Sequence, residues 1–456
     1  MNIYIHNEIS HRELDGKLLL GLLAASRGHQ VIVSRLKEIT GGIKFKILAP
    51  GIFLTKSLTP SKAKIDRHQK LIDNKTLVTS IDEESGIDQK GYDEFAKNRY
   101  SDLTISQSSA VFGWGKDDTE TIKKFYPKNS NKIHKTGSPR ADLWKPFFFD
   151  YWINPKGMMT KPFLLISSNL NCTNFRSFHH NIKIQSEAGY FERNPKLYKN
   201  YFYKWSEDYK KLFEFIEAIK HLSKNNNGYD IVLRPHPTED INAWKIFLKD
   251  IPNVHVIRQD SITGWVKNAF AVLHNGCTTA IEATISCKPV ITYSPFKMEY
   301  AHELANTLGY HIKSKEELLI KINELFKISK TNNKKENEVK ISEEISNKLH
   351  IDSNELAVEK IIKIWESLDN NSLSESNNWT NFYCYCKIIY FIEVLRKILG
   401  RLFPSKFIPF KDNQKFSPLN EDDICSRVKR LQDLLGIKKK IECKLLSKKT
   451  ILIKSI

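Results

Sequence analysis

Ile231-Val232-Leu233-Arg234-Pro235-His236-Pro237 and, farther along, Ala271-Val272-Leu273-His274-Asn275-Gly276-Cys277-Thr278-Thr279-Ala280-Ile281-Glu282 repeat one pattern. A short aliphatic run is broken by a loop of polar or conformationally special residues. Such runs predict strands buried on both faces, with loops at their carboxyl ends. Similar runs at 163–167, 254–257 and 289–292, with a helix expected over 207–223, predict a doubly wound parallel sheet over residues 160–328.

Residues just after the strands of such a sheet carry its chemistry, because ligands sit beyond the carboxyl ends. In the first loop two prolines restrict the backbone. Arg234 brings a forked donor suited to phosphate or carboxylate, and His236 can donate to a phosphate oxygen or move a proton. A rigid turn with a surface histidine is the alternative for this loop alone. In the second, Asn275-Gly276 allows a sharp turn, and Cys277 to Thr279 put hydroxyls and open N–H groups at a helix start, an anion-binding arrangement. Thr278 and Glu282 are four apart and share a helix face, so Glu282 can reach a ribose diol while the threonines face phosphates. The candidate nucleotide-binding set is Arg234, His236, His274, Asn275, Gly276, Thr278, Thr279 and Glu282, with His236 also a catalytic candidate. The alternative for Glu282 is an ordinary helix carboxylate.

Upstream, Ile3-Tyr4-Ile5, a helix over 14–27 ended by Gly28, and Val31-Ile32-Val33 read as a βαβ opening. Further strands are expected at 76–80, 102–105, 110–112 and 132–136, making a first α/β domain of residues 1–150. Prolines and glycine between 146 and 162 mark the link to the second domain, and 169–203 reads as an insertion. Polar tracts at 329–343 and 369–378 read as linkers. They flank a helix within 344–370, and a basic helical extension is expected over 371–456.

The chain has 456 residues, too many for one core, and 71 basic against 52 acidic residues give a net charge of +19. That balance suits an anionic partner, although lysine dispersed over a solvated surface gives the same number. No zinc-finger, RNP-like or helix-turn-helix pattern is present, so nucleic acid is not an expected partner. The seven cysteines are odd in number and lack CxxC spacing, and the first residues lack a signal-peptide pattern, so a reducing cytoplasmic location is expected with no metal site. The stretch 388–402 is interrupted by Glu393, Arg396, Lys397 and Arg401, so no membrane span is expected. The aromatic and basic run 379–403 admits two readings: contact with an anionic membrane interface, or packing of an apolar face on the first domain.

Taken as a set, Arg-x-His-Pro after one strand, the Thr-Thr and Glu282-Ala283 segment after another, and Lys288-Pro289-Val290 resemble the C-terminal half of GT-B enzymes of bacterial surface polysaccharides. That group includes capsule and lipopolysaccharide Kdo transferases and, more loosely, CDP-glycerol glycerophosphotransferases and UDP-N-acetylglucosamine 2-epimerases. Arg12-Glu13-Leu14-Asp15-Gly16-Lys17, Asp82-Glu83-Glu84, Phe112-Gly113-Trp114-Gly115 and Thr136-Gly137-Ser138-Pro139-Arg140 are similar in order and spacing to surface carbohydrate biosynthesis proteins. Cys277 stands where Ser or Gly is commoner, and Gly16 where Ala is expected. The resemblance, over residues 1–325, implies a GT-B-like fold of two Rossmann-type domains. It also implies a metal-independent glycosyltransferase that uses a nucleotide-activated sugar as substrate, with no cofactor, and a glycan or lipid-linked acceptor. An N-domain carboxylate, Asp15, Glu83 or Glu84, would then serve as the base across the interdomain cleft. A sugar-nucleotide epimerase, a CDP-glycerol glycerophosphotransferase-like enzyme and a non-catalytic scaffold remain as alternatives on the same fold.

Overall fold

The structure, a computed structural model, describes residues 1–84, 91–170, 182–183, 186–187, 189–193, 195–226, 228–237, 239–297, 303–331, 343–351, 355–368, 377–402 and 418–456. Its strands in chain order are β1 (Asn2–His6), β2 (Gln30–Ser34), β3 (Ile52–Thr55), β4 (Leu77–Ile81), β5 (Ala110–Gly113), β6 (Ile133–Lys135) and β7 (Phe163–Ser167). They continue with β8 (Asp230–Arg234), β9 (Val254–Val256), β10 (Ala271–His274), β11 (Val290–Tyr293), β12 (Tyr310–Ile312), β13 (Ile441–Ser447) and β14 (Thr450–Ser455). The chain divides into two compact units, one of residues 1–143 and 342–456, the other of residues 144–341.

The first unit is built on a sheet of order β13-β14-β2-β1-β3-β4-β5-β6. From β2 to β6 every pairing is parallel, and the central strands are buried on both faces, hence their unbroken aliphatic runs. The Ser10–Ser26 helix crosses from β1 to β2. Gly16 lets it lie close to the Pro139–Asp142 turn: a Cβ there would stand 3.1 Å from the Arg140 nitrogen. This close approach accounts for glycine where alanine was expected.

Three sequence expectations change here. Residues 102–105 are not a strand but the start of the Asp102–Ser106 helix. Ser101 accepts from the Thr104 N–H at 3.2 Å and Thr104 Oγ1 accepts from the Ser101 N–H at 3.1 Å, a reciprocal cap that outweighs the β-branched composition. β3 was not anticipated. The third change concerns the C-terminal residues, which are not a separate helical extension but complete the first unit. The Ala357–Leu368 helix buries Ile361, Ile362 and Trp365, and Trp365 donates to Thr79 Oγ1 at 3.2 Å. The Trp379–Leu402 helix puts Phe382 and Cys386 among Ile39, Ile43, Leu48 and Phe53. The β13-β14 hairpin adds to the sheet by antiparallel pairing of β14 with β2.

The second unit carries a sheet of order β12-β11-β10-β7-β8-β9, parallel throughout among the described residues. Its core gathers Leu164, Ile166, Ile231, Leu233, Leu273 and Ile291 under the Pro195–Lys224 and Lys315–Lys330 helices. The expected helix over 207–223 is the later part of the longer Pro195–Lys224 helix. Much of the insertion read over 169–203, and most of the tracts 329–343 and 369–378, lie outside the described residues. Among the described residues no helix is long and apolar enough to cross a membrane.

Candidate functional site

β7 opens the second sheet and lies between β8 and β10, so the strand order reverses at β7. Loops leaving neighbouring strands at such a reversal run to opposite sides and leave a crevice. Here the loops after β7 and β10 meet. Ser167 Oγ lies 3.2 Å from Cys277 Sγ and 3.1 Å from Thr279 Oγ1. The Asn169 N–H donates to Asn275 Oδ1 at 3.1 Å, and Asn169 Nδ2 donates to the Gly276 carbonyl at 3.1 Å. Gly276 takes φ +99°, a conformation open to glycine and strained for other residues.

His274 supports this loop from beneath. It is fully buried, its Nδ1 accepts from the Gly276 N–H at 3.0 Å, and its Nε2 lies 2.8 Å from Thr292 Oγ1. The accepting Nδ1 puts the ring proton on Nε2, and Thr292 in turn donates to the Leu308 carbonyl at 2.7 Å. His274 thus braces the loop that carries Asn275 and Gly276. Asn275 Nδ2 differs: it is buried without a hydrogen-bond partner. A buried amide donor left unsatisfied is costly unless something outside the fold accepts from it.

The helix expected after the Thr-Thr pair is Thr279–Ile285, short, with Thr278 at its start in helical geometry and no side-chain cap. The Ala280 and Ile281 N–H groups are taken by the Cys277 and Thr278 carbonyls at 3.1 and 3.0 Å, so this start is less open than the sequence suggested. Thr278 is half-buried, while Thr279 and Glu282 are buried.

The loop after β8 also departs from expectation. Arg234 directs its guanidinium to the carbonyls of Gln259, Arg258 (3.3 Å) and Asp260 (2.9 Å), with its carbon 5.7 Å from the Trp265 ring centre. Its two terminal nitrogens hold the chain after β9. Burial lowers its pKa to about 10, against the opposing pull of Asp260 and Glu282, so it stays charged at neutral pH. Glu282 thus acts electrostatically on Arg234, which ties the β8 and β10 loops into one neighbourhood.

His236 has a pKa below the ordinary imidazole value, first from burial and then from the Arg258 charge, and is neutral at pH 7. Arg258 was not singled out in the sequence. One of its terminal nitrogens donates to the His236 carbonyl at 3.2 Å and to the Glu239 carbonyl, while its Nε is buried without a partner. Glu239, fully buried and also missed, accepts from Ser168 Oγ at 2.8 Å, the Leu170 N–H at 2.7 Å and Trp244 Nε1 at 2.6 Å. Nothing in the local sequence marks either residue, since both depend on which loops the strand order makes neighbours.

The carboxylates expected in the first unit fall into two networks, one at Asp15 and one that runs from Glu84 through Arg12, Glu13 and Lys17 to Glu83. Asp15 pairs with Arg427 at 3.1 Å, and Arg427 also holds Asp423. Glu83 is buried and pairs with Lys17 at 3.1 Å, and Lys17 also pairs with Glu13 at 2.7 Å. Burial disfavours both partners' charges, yet their attraction outweighs it: Lys17 is raised above its ordinary value and Glu13 held well below the usual carboxylate range. Glu84 keeps about half its side chain exposed, beside Arg12 (3.6 Å) and Arg99 (3.4 Å). Of these three candidates, Glu84 is the most accessible to solvent. Nearby, both polar atoms of the fully buried Asn7 side chain lack partners, and His6 is pushed down to about 3 by burial and then by Lys17. Among the described residues no group of three or more His, Cys, Asp and Glu side chains is placed to hold a metal ion.

No protein-family model and no curated protein sequence matches the chain. Solved structures do. UDP-GlcNAc 2-epimerase from Methanocaldococcus jannaschii is 15% identical with a TM-score of 0.50, over 80% of this chain and 100% of that one. A Listeria monocytogenes protein assigned as a UDP-N-acetylglucosamine 2-epimerase is 13% identical with a TM-score of 0.50, over 83% and 97%. The wall teichoic acid polymerase TagF is less alike, at 12% identity and a TM-score of 0.43 over 71% and 74%. At these identities the likeness is one of fold, and the fold is GT-B-like, with two Rossmann-type units.

Proposed function

We propose that this chain is a nucleotide-sugar enzyme of surface-glycan assembly, transferring a glycosyl group from a nucleotide-activated donor to a hydroxyl of a glycan or lipid-linked acceptor. The observation that carries the reading is the crevice where the second sheet reverses. There Asn275 Nδ2 and, one loop away, Arg258 Nε are buried donors without acceptors. Phosphate and ribose oxygens are acceptors of the kind such donors need. In this reading Arg258 takes the phosphate role first expected of Arg234, Thr278 adds a hydroxyl, and Glu282 accepts from the ribose diol. His236, neutral and held by the rigid Pro-flanked loop, donates to the leaving phosphate. The acceptor oxygen bonds to the anomeric carbon as its bond to phosphate breaks, the electron pair leaving with the nucleotide. The acceptor's proton passes to a base.

Titrating the purified protein with CMP-, CDP-, UDP- and GDP-activated sugars, then following nucleotide release with acceptor present, tests this reading. Asn275→Ala and Glu282→Ala are expected to weaken donor binding at least about tenfold, the loss of one or two charge-assisted hydrogen bonds. His236→Ala is expected to lower turnover more than binding. Absence of binding to every donor, or variants that bind and turn over like the parent, would overturn it.

A second reading, epimerisation of the nucleotide sugar itself, is favoured by the two likenesses at TM-score 0.50, both to 2-epimerases or proteins assigned as such. Incubation with a single UDP-sugar and no acceptor separates the two readings, because only epimerisation yields a new sugar without release of nucleotide.

A further inference from the structure

We propose that the outward face of the Trp379–Leu402 helix is a docking surface for an anionic lipid bilayer, with the helix lying in the plane of the interface. The inward face is fully employed within the first unit. Phe382 and Cys386 sit in its core, and Glu393 is buried between Arg35 (2.8 Å), Lys37 and Lys449 (3.5 Å). The outward face is apolar where a solvated helix is polar. Ile388 is 58% exposed, Phe391 60%, Ile392 43%, Leu395 41% and Ile398 48%, at the three- and four-residue spacing that makes one stripe. A contiguous apolar stripe of this kind marks a contact surface, since isolated exposed side chains do not line up in helical register.

Charge identifies the occupant. Glu393 is the only acidic residue of the helix, and it is buried and paired, whereas Lys387 and Arg396 are exposed on it. At the rim, the Lys387 ammonium lies 5.1 Å from the Tyr383 ring centre and the Lys448 ammonium 5.9 Å from that of Tyr390. Aromatic rings beside basic heads, flanking an aliphatic stripe, match the chemistry of an anionic headgroup layer over acyl chains. A second copy of the same face fits less well, because a two-fold contact brings basic residues against basic residues with no free carboxylate on the helix to answer them.

The test uses the full chain and involves no nucleotide, so its outcome is independent of the enzymatic reading. Sedimentation is measured with vesicles of phosphatidylcholine alone and of phosphatidylcholine with phosphatidylglycerol. The parent protein is expected to pellet with the anionic vesicles and to be released by salt. The Ile388→Ser, Phe391→Ser, Leu395→Ser triple variant is expected to lose at least about tenfold in partitioning with an unchanged melting temperature, since each side chain is exposed. The Lys387→Glu, Arg396→Glu pair is expected to lose about tenfold or more. Overturning results are a parent that pellets with neither vesicle, either variant pelleting like the parent, or light scattering that shows a parent dimer made monomeric by the triple variant, which assigns the face to a second copy.

Discussion

His68 has both ring nitrogens buried without a hydrogen-bond partner, on the Lys62–Asp73 helix of the first unit. Burial, then Arg67 and Lys64, lower its pKa to about 4. A histidine whose folded pKa lies below its unfolded value of about 6.5 favours folding above that value and opposes it below, because only the unfolded ring takes the proton. Stability is therefore expected to fall as the pH drops from about 6.5 towards 4, by up to about 1.4 kcal/mol per pH unit from this residue. His68→Leu is expected to remove that slope and to add about 1 kcal/mol at pH 7, since it deletes two unsatisfied polar atoms and keeps the volume. Urea titrations of both proteins at pH 7 and pH 5 check this, and an unchanged difference between the two pH values would sink it. His274 shows the contrast. It is equally buried, but both nitrogens are bonded and it braces the crevice loop. In sequence His68 stands in the polar run Asp66-Arg67-His68-Gln69-Lys70 and His274 ends an aliphatic one, and neither setting distinguishes a brace from a burden; the surrounding structure does.

At the scale of elements, the crevice is held by Glu239, whose carboxylate joins the loop after β7 to the Trp244 side chain of the Ile241–Phe247 helix. Glu239→Ala removes the acceptor shared by three buried donors, a loss of about 3 kcal/mol or more. Its chemical denaturation midpoint is expected to fall accordingly, and donor binding to weaken with it. Glu239→Gln, which keeps one acceptor oxygen, is expected to recover part of both. Equal midpoints for the parent and Glu239→Ala would show that the clamp carries no load. This element also shows what local pattern can convey. The strands of the second sheet and their loops were readable because buried parallel strands are unbroken aliphatic runs. The partners of Arg234 were not, because the carbonyls it holds belong to the chain after a different strand, one that pairs with β8 only through the sheet order. Residues 102–105 misled for a local reason: the Ser101 cap decides the element, and β-branched composition does not.

At the scale of the whole chain, the first sheet is finished by residues more than four hundred positions from where it begins. β14 pairs with β2 and buries Ile451, Leu452 and Ile453. A reading that moves along the chain sees a basic tail, because pairing at such separation leaves no periodic trace other than the strand's own alternation. Physically the hairpin is part of the unit: three buried aliphatic side chains at roughly 2 kcal/mol each amount to about 6 kcal/mol, comparable to the whole stability of an ordinary domain. A chain ending at Gly436 also leaves the β2 edge unpaired and the inner face of the Trp379–Leu402 helix without its β13 partner. That truncated chain is expected to lose the fold of the first unit while residues 144–341, which the chain enters and leaves once, keep theirs. Calorimetry is the measurement. The unfolding enthalpy of the truncated chain is expected to fall to about that of the 144–341 segment expressed alone, and a truncated chain that retains the full enthalpy would show that the hairpin is an ornament on a sheet already complete.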